Sequence, residues 1–210
     1  RLPTPKAQSE DRPWPPLPQC MWAKMSAAAA VQTRKFDMLQ TLKPNPLHEL
    51  FDHPITAVLY ENGTEIENLL AGIADQLKQE RFNLAGYIQR DRRKPGRSDC
   101  DMILEDIATG RHLNISEDRG AAARGCKLDI SALLEAGELL SQTIDEKPDL
   151  LILNKFGKSE HEGGGLRPLI FRAIELDVPV LIAVPKRNIE SWREFVGDLN
   201  REVSPVPFAS

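Results

Sequence analysis

The sequence predicts an α/β protein of three layers, with a mainly parallel sheet, helices on both faces and an inserted antiparallel hairpin. Three observations predict it. Short, nearly continuous apolar runs recur at Ile55–Tyr60 (ITAVLY), 84–89, 149–153 and 179–184, and runs of that kind mark strands covered on both faces. One-faced helical stripes separate these runs, and strand–helix alternation builds a parallel sheet. Between the second and third runs, 101–108 and 111–115 read as two further strands joined around Thr109-Gly110, a hairpin signal.

In chain order, residues 1–50 read as a Pro-rich, mostly disordered tail. Pro3, Pro5, Pro13, Pro15, Pro16 and Pro18 oppose helix and ladder alike, and periodic apolar residues are lacking. A short helical turn is expected around 47–51. A partner-binding tail is the sharper reading of this segment, an unfolded leader the plainer one. The chain opens on Arg1 rather than Met, and Met21, Met25 and Met38 each offer a start. The domain itself is expected over 51–203, with 204–210 frayed.

Within the domain, Thr64 and Glu67 have the spacing of a capping box. Ile66, Leu69, Leu70, Ile73, Ala74 and Leu77 follow as one helical face. A basic excursion, 90–97 (RDRRKPGR), leaves the second strand, and 120–127 (GAAARGCK) reads as a loop of small residues. Asp129 is expected to cap a helix marked by Ile130, Leu133, Leu134, Leu140 and Ile144. After the third run comes a long polar loop, 154–165, then a stripe at Leu166, Leu169, Ile170, Ala173 and Ile174. A last helix after Asn188 turns Ile189, Trp192, Phe195, Val196 and Leu199 inward.

Composition narrows the function classes. A net charge of -4 and a pI near 5.7 argue against a nucleic-acid or anionic-membrane binder, and no apolar run is long enough for a bilayer. Three cysteines (Cys20, Cys100, Cys126) without CxxC spacing supply no disulfide framework. The expected setting is a reducing cytoplasm.

Ligands of open α/β sheets sit beyond the carboxyl ends of the strands. Here those ends are 61–64, 89–97 and 154–165, the last beginning the run NKFGKSEHEGGGLRP. The run DLLIL, this loop, a helix and then PVLIAV together resemble the thermophilic-type nucleoside-triphosphatases, a P-loop family. Residues 84–110 (LAGYIQRDRRKPGRSDCDMILEDIATG) resemble that family's second strand and inserted hairpin. A nearer resemblance is to a bacterial family of proteins of unknown function, often encoded near molybdate-transport genes. Its motifs match at 100–110 (CDMILEDIATG), 123–129 (ARGCKLD), 154–160 (NKFGKSE) and 165–168 (GLRP). The resemblance covers roughly 55–199 and implies a P-loop-like fold, a possible link to molybdenum metabolism and no particular activity.

The departures carry chemical meaning. A phosphate-gripping loop needs G-x-x-x-x-G-K-[ST] after the first strand, whereas this chain has Glu61-Asn62-Gly63-Thr64-Glu65. That stretch has no Lys and sets Glu61, Glu65 and Glu67 around a helix start whose partial charge is only about half a proton. Asn154 and Lys155 stand where the resembling triphosphatases carry an acidic pair for magnesium and the attacking water. Conventional ATP hydrolysis is therefore not expected, and no catalytic residue is assigned.

Positive charge gathers elsewhere. Lys155, Lys158 and Arg167 flank the glycines Gly163, Gly164 and Gly165, with Arg90 close enough in the topology to converge. Asn154 joins them in a candidate site for an anion or nucleotide, in which bare glycine amides would help. Solvated lysines, with Arg167 paired to Glu160 or Glu162, are the competing account.

Cys100 and Cys126, with His161, are candidates for a soft metal or redox pair; buried thiols are the competing account. Asp99, Asp101, Glu105 and Asp106 read as hairpin carboxylates, split between two strand faces. Ser116 and Ser159 lack an adjacent His/Asp arrangement. His48, His53 and His112 form no pair with ligand spacing. The function expected is a non-hydrolysing binding or regulatory protein for a small anion or nucleotide, cofactor unknown. A triphosphatase with altered phosphate binding, or an adaptor that binds only a partner protein, are the alternatives. Nucleic acid and membrane are not expected partners.

Overall fold

A computed structural model describes residues 47–61, 63–93, 100–117 and 128–205; the side chains of 63, 64, 91–93, 100 and 101 are outside that description. The expectations for the first 46 residues, the small-residue loop 120–127, Asp99 and the last five residues lie outside it.

Seven strands form one sheet in the order β4-β3-β2-β5-β6-β1-β7. They are β1 (Ile55–Tyr60), β2 (Leu84–Arg93), β3 (Cys100–Asp106), β4 (His112–Asn114), β5 (Leu150–Leu153), β6 (Val180–Pro185) and β7 (Asn200–Val203). From β2 to β7 every neighbouring pair is parallel; β3 and β4 extend the sheet antiparallel beyond β2. The expected alternation is thus present as a mixed, mostly parallel α/β sheet.

Side chains alternate across it. Val58, Tyr60, Leu84, Ile88, Leu150, Ile152, Leu181 and Ala183 face α1 (Gly63–Gln79), which buries Ile66, Leu70, Ile73, Ala74 and Leu77 against them. Ile55, Ala57, Ala85, Tyr87, Leu151, Leu153, Val180, Ile182 and Val184 face the other way. There they meet α2 (Ile130–Asp145), α4 (Arg167–Glu175) and α5 (Ile189–Val196), while α3 (Lys158–His161) lies in the loop after β5. Gly86 sits where β2 passes β5: a Cβ there would lie 1.9 Å from the Ile152 carbonyl oxygen, and its φ is +134°.

Several local expectations change. The helix after β1 starts at Gly63, which puts Thr64 inside its first turn rather than at the cap. The basic excursion begins as strand, since β2 runs on through Arg93. The polar loop 154–165 contains α3. Asp129 does cap α2, accepting from the Ala132 amide at 3.0 Å, but Ile130 and Leu134 are 64% and 58% exposed. The buried stripe is Leu133, Ala136, Leu140 and Ile144. Small residues set it: Tyr87 donates its hydroxyl to the Ala136 carbonyl at 2.8 Å, which requires α2 to lie close to the sheet.

The last helix ends at Val196, and the chain then adds β7 beside β1. The expected turn near 47–51 is a 3-10 turn, His48–Phe51. Leu47, Leu50 and Phe51 are buried in the α1-side core, so that core reaches four residues ahead of the boundary at 51.

Candidate functional site

β1, β5 and β6 present their carboxyl ends on the same sheet edge, with β6 between the other two. The loop after β5 is the more elaborate. Asn154 follows β5 directly; Phe156 returns to the sheet, donating its amide to the Ala183 carbonyl at 2.8 Å. Gly157 opens α3, and Glu160 folds back over it. The Glu160 carboxylate is buried, accepting from the Gly157 amide at 2.9 Å through Oε2 and from the Leu166 amide at 2.8 Å through Oε1. A carboxylate three residues into a helix satisfies amides that the helix itself leaves free. Gly165, at φ +62°, passes so close that a Cβ would fall 2.0 Å from Glu160 Oε1. The glycine loop is wrapped around an anion of its own chain.

The site residues expected from sequence fall into different environments. Asn154 is 7% exposed, and its Oδ1 has no hydrogen-bond partner. Lys155 is half-buried and makes no ion pair among the described residues. Lys158 is 85% exposed, with Glu162 at 3.6 Å. Gly163 and Gly164 are not bare donors: their amides go to the carbonyls of Glu160 at 3.1 Å and Ser159 at 2.8 Å.

Arg167 opens α4 but points inward, 7% exposed, its guanidinium 5.3 Å from the Phe156 ring centroid and 4.5 Å from that of Phe195. Burial lowers its pKa, and the charges of Glu160 and Glu194 act in the other direction. A stacked guanidinium between two rings is a packing arrangement, and its Nε has no acceptor. Arg90 does not converge on the loop. Its Nε bonds Glu105 at 2.9 Å, and strand alternation from Ile88 turns it toward the α1 face, opposite Arg167.

The neighbouring strand ends hold charge that the sequence reading passed over. β1 sends its connection, α1, to one face of the sheet; β6 sends α5 to the other. Adjacent strands whose connections part in this way leave a crevice at their carboxyl ends, the switch point of an open α/β sheet. β1 ends at Tyr60 and α1 begins at Gly63, a connection too short for its backbone amides to wrap a phosphate.

Across the mouth, Lys186 reaches Glu61 at 2.6 Å, both exposed, and this hydrogen bond and charge hold the Glu61 carboxyl below its usual range. Arg187 is exposed and makes no ion pair among the described residues. Asn188, buried, donates to the carbonyls of Phe156 at 2.9 Å and Gly157 at 3.4 Å. That clamp fixes the basic turn Lys186–Asn188 against the Lys155–Gly157 stretch. Tyr60 lies beneath; burial raises its phenol pKa, the Arg187 charge opposes the rise and Glu67 adds to it. The signal in sequence was a basic pair straight after a buried strand, legible only once the switch point is located.

Other candidates gather less. Cys20 and Cys126 and the Cys100 side chain lie outside the described residues, as does the Asp101 side chain. Among the described residues no group of three or more His, Cys, Asp and Glu is arranged to hold a metal ion, and none of the helices is long and apolar enough to cross a membrane. His161 Nδ1 lies 2.7 Å from Ser191 Oγ, a surface link between α3 and α5 rather than an element of the edge.

Comparison with known proteins adds kinship. The chain is 33% identical over 159 residues to a Bradyrhizobium diazoefficiens protein named Molybdenum import ATP-binding protein ModC 2. The match covers 76% of this chain and 18% of that protein, so the chain spans less than a fifth of its relative. No solved structure matches significantly. The family model described as Protein of unknown function (DUF2478) matches residues 55–207, most of the chain, and the chain belongs to that family.

Proposed function

We propose that this protein is a non-hydrolysing binding or regulatory protein of P-loop descent, which holds a nucleotide or another small oxyanion at the carboxyl edge of its sheet. The observation that carries the reading is at the end of β5. There the buried Asn154 leaves its Oδ1 without a partner, beside a half-buried Lys155 whose ammonium has no carboxylate among the described residues. A buried amide oxygen left unbonded costs about 1–3 kcal/mol; a donor on the ligand, such as a nucleotide hydroxyl or amine, removes that cost, while an oxyanion, itself an acceptor, is met by the Lys155 ammonium.

In this reading Asn154 and Lys155 touch the ligand, and Lys158 adds charge at the rim. Gly163, Gly164 and Gly165, with Arg167, keep the loop in shape, and Arg90 borders the neighbouring strand end. P-loop descent is supported by the parallel core from β2 to β7 and by the positions of β1 and β5 on either side of β6.

Hydrolysis is disfavoured for two reasons. β1 passes into α1 through two residues, and an amide and an ammonium stand where a metal-holding acid and a base would be needed. The relative's name concerns ATP binding in molybdenum import; with 18% of that protein aligned, the name supports a nucleotide or molybdate as ligands to try first.

Titration of the full chain with ATP, GTP, molybdate and phosphate tests the reading. One saturable ligand below millimolar concentration is expected, weakened about tenfold by Lys155→Ala. Absence of saturable binding up to millimolar, with wild type and variant alike, would overturn it. Steady-state phosphate release abolished by Lys155→Ala would make the protein a triphosphatase instead.

A further inference from the structure

We propose that the crevice between the ends of β1 and β6 is the oxyanion subsite, with Lys186 and Arg187 as its cationic wall and Glu61 as a resident carboxylate that an incoming anion displaces. The inference rests on the binding reading above and deepens it by naming residues outside the β5 loop and the class of group they take: a tetrahedral oxyanion, free or as the phosphoryl group of a nucleotide.

Three observations converge. The first is topological: α1 leaves β1 on one face and α5 leaves β6 on the other, and such a split opens a ligand crevice at the strand ends. The second is charge. Lys186, Arg187 and Lys155 lie on one edge, and of these three only Lys186 pairs with a carboxylate among the described residues, Glu61 at 2.6 Å. Glu65 and Glu67 of α1 add negative charge beside the same strand end. The third is preorganisation. Asn188 bonds the carbonyls of Phe156 and Gly157, so the basic turn is held against the β5 loop rather than waving from the end of a strand.

Glu61 distinguishes this mouth from the glycine loop. The Glu160 carboxylate there is buried and held by two backbone amides, so a solvated ligand cannot readily replace it. Glu61 is exposed and held by one ammonium, an exchangeable contact of the kind that water and salt weaken. A doubly charged oxyanion arriving at the mouth meets Arg187 unpaired and competes for Lys186 with a singly charged carboxylate. It gains a second cation that Glu61 does not engage. Exchange then turns the Glu61 carboxylate out into water.

The test is calorimetric titration of the full chain with inorganic phosphate, molybdate and ATP in separate runs. The variants are Glu61→Gln, the double variant Lys186→Ala/Arg187→Ala, Lys155→Ala, and Arg172→Ala as a charge control whose partner Asp145 lies toward the opposite edge of the sheet. Glu61→Gln is expected to tighten binding about threefold or more, and the double variant to weaken it about tenfold or more, with Arg172→Ala unchanged. The gain in Glu61→Gln cannot come from misfolding, which protects the test against an unstable double variant. Binding of phosphate or molybdate alone identifies a free oxyanion and binding of ATP only a nucleotide; either supports the subsite when the variants shift it as stated. If Lys155→Ala removes binding while Glu61→Gln and the double variant match wild type, the subsite is overturned and the broader reading stands. If no protein in the set binds any of the three, both fall.

Discussion

The two loops on the carboxyl edge treat charge in opposite ways. After β5, Glu160 and Arg167 are buried: the carboxylate is held by backbone amides of Gly157 and Leu166, and the guanidinium is stacked between Phe156 and Phe195. At the β1–β6 mouth, Glu61, Lys186 and Arg187 are exposed, and the one ion pair among them joins two solvated side chains. Burial with backbone partners makes a charge part of the fold, because removing it leaves donors without water. Exposure with a side-chain partner keeps it exchangeable. The glycine-rich sequence that looks most like a ligand loop thus has its charge built into the fold, while the charges of the plainer basic turn are exposed.

Gly165→Ala should do the most damage. The new methyl would meet Glu160 Oε1 at 2.0 Å, on a backbone at φ +62°. A loss of about 3 kcal/mol, or roughly 6–12 °C in Tm, is expected from calorimetric or urea melts. A shift under one degree would mean that the loop is not held around Glu160.

Next in size is alkaline pH. Tyr87, in register with Leu153 just below the loop, has its pKa pushed up to about 12 by burial, with Asp106 adding to the rise. Its folded pKa exceeds the unfolded value, so its contribution is complete below about pH 10 and is lost as pH rises from there through 12. The loss is about 2–3 kcal/mol. Tyr87→Phe should flatten stability across that window, and an unchanged pH profile would contradict the buried hydroxyl.

The smallest effects divide the two carboxylates directly. Glu160→Gln should cost about 1–3 kcal/mol, since its amide NH2 must face one of two backbone donors. Glu61→Gln should leave Tm at the wild-type value. Equal melting behaviour of the two variants would erase the comparison.

How much of this was legible in sequence depends on what kind of contact specifies each part. Strands β1, β5 and β6 are buried on both faces, and their apolar runs say so without help from the rest of the chain. Ile130 and Leu134 mark α2 in the sequence, yet both are exposed, since the size of an apolar residue does not report which helix face it lies on. Ala136 is the residue that permits the approach to Tyr87.

β7 was missed because three of its four residues are polar and all four are only partly buried. They are held by tertiary bonds such as Trp192 Nε1 to Asn200 Oδ1 at 3.2 Å and Arg193 to Glu202 at 2.6 Å. In the candidate site, Asn154 and Lys155 could be placed from the end of an apolar run. Glu160 carried a readable sign, its spacing of three from Gly157, which is that of a helix-start carboxylate. Lys186 and Arg187 carried only the sign of a basic pair after an apolar run, which gains meaning once the order of strands places the switch point.

The most direct measurement is a residue-resolved amide NMR titration of the full chain with the tightest of phosphate, molybdate and ATP. Saturable shifts centred on Lys155, Lys186 and Arg187, with the amides of Gly157, Gly163, Gly164 and Leu166 little changed, are the expected result. Shifts centred on those four amides would put the ligand in the glycine loop after all, and a spectrum that does not move up to millimolar ligand would contradict an anion site at this edge.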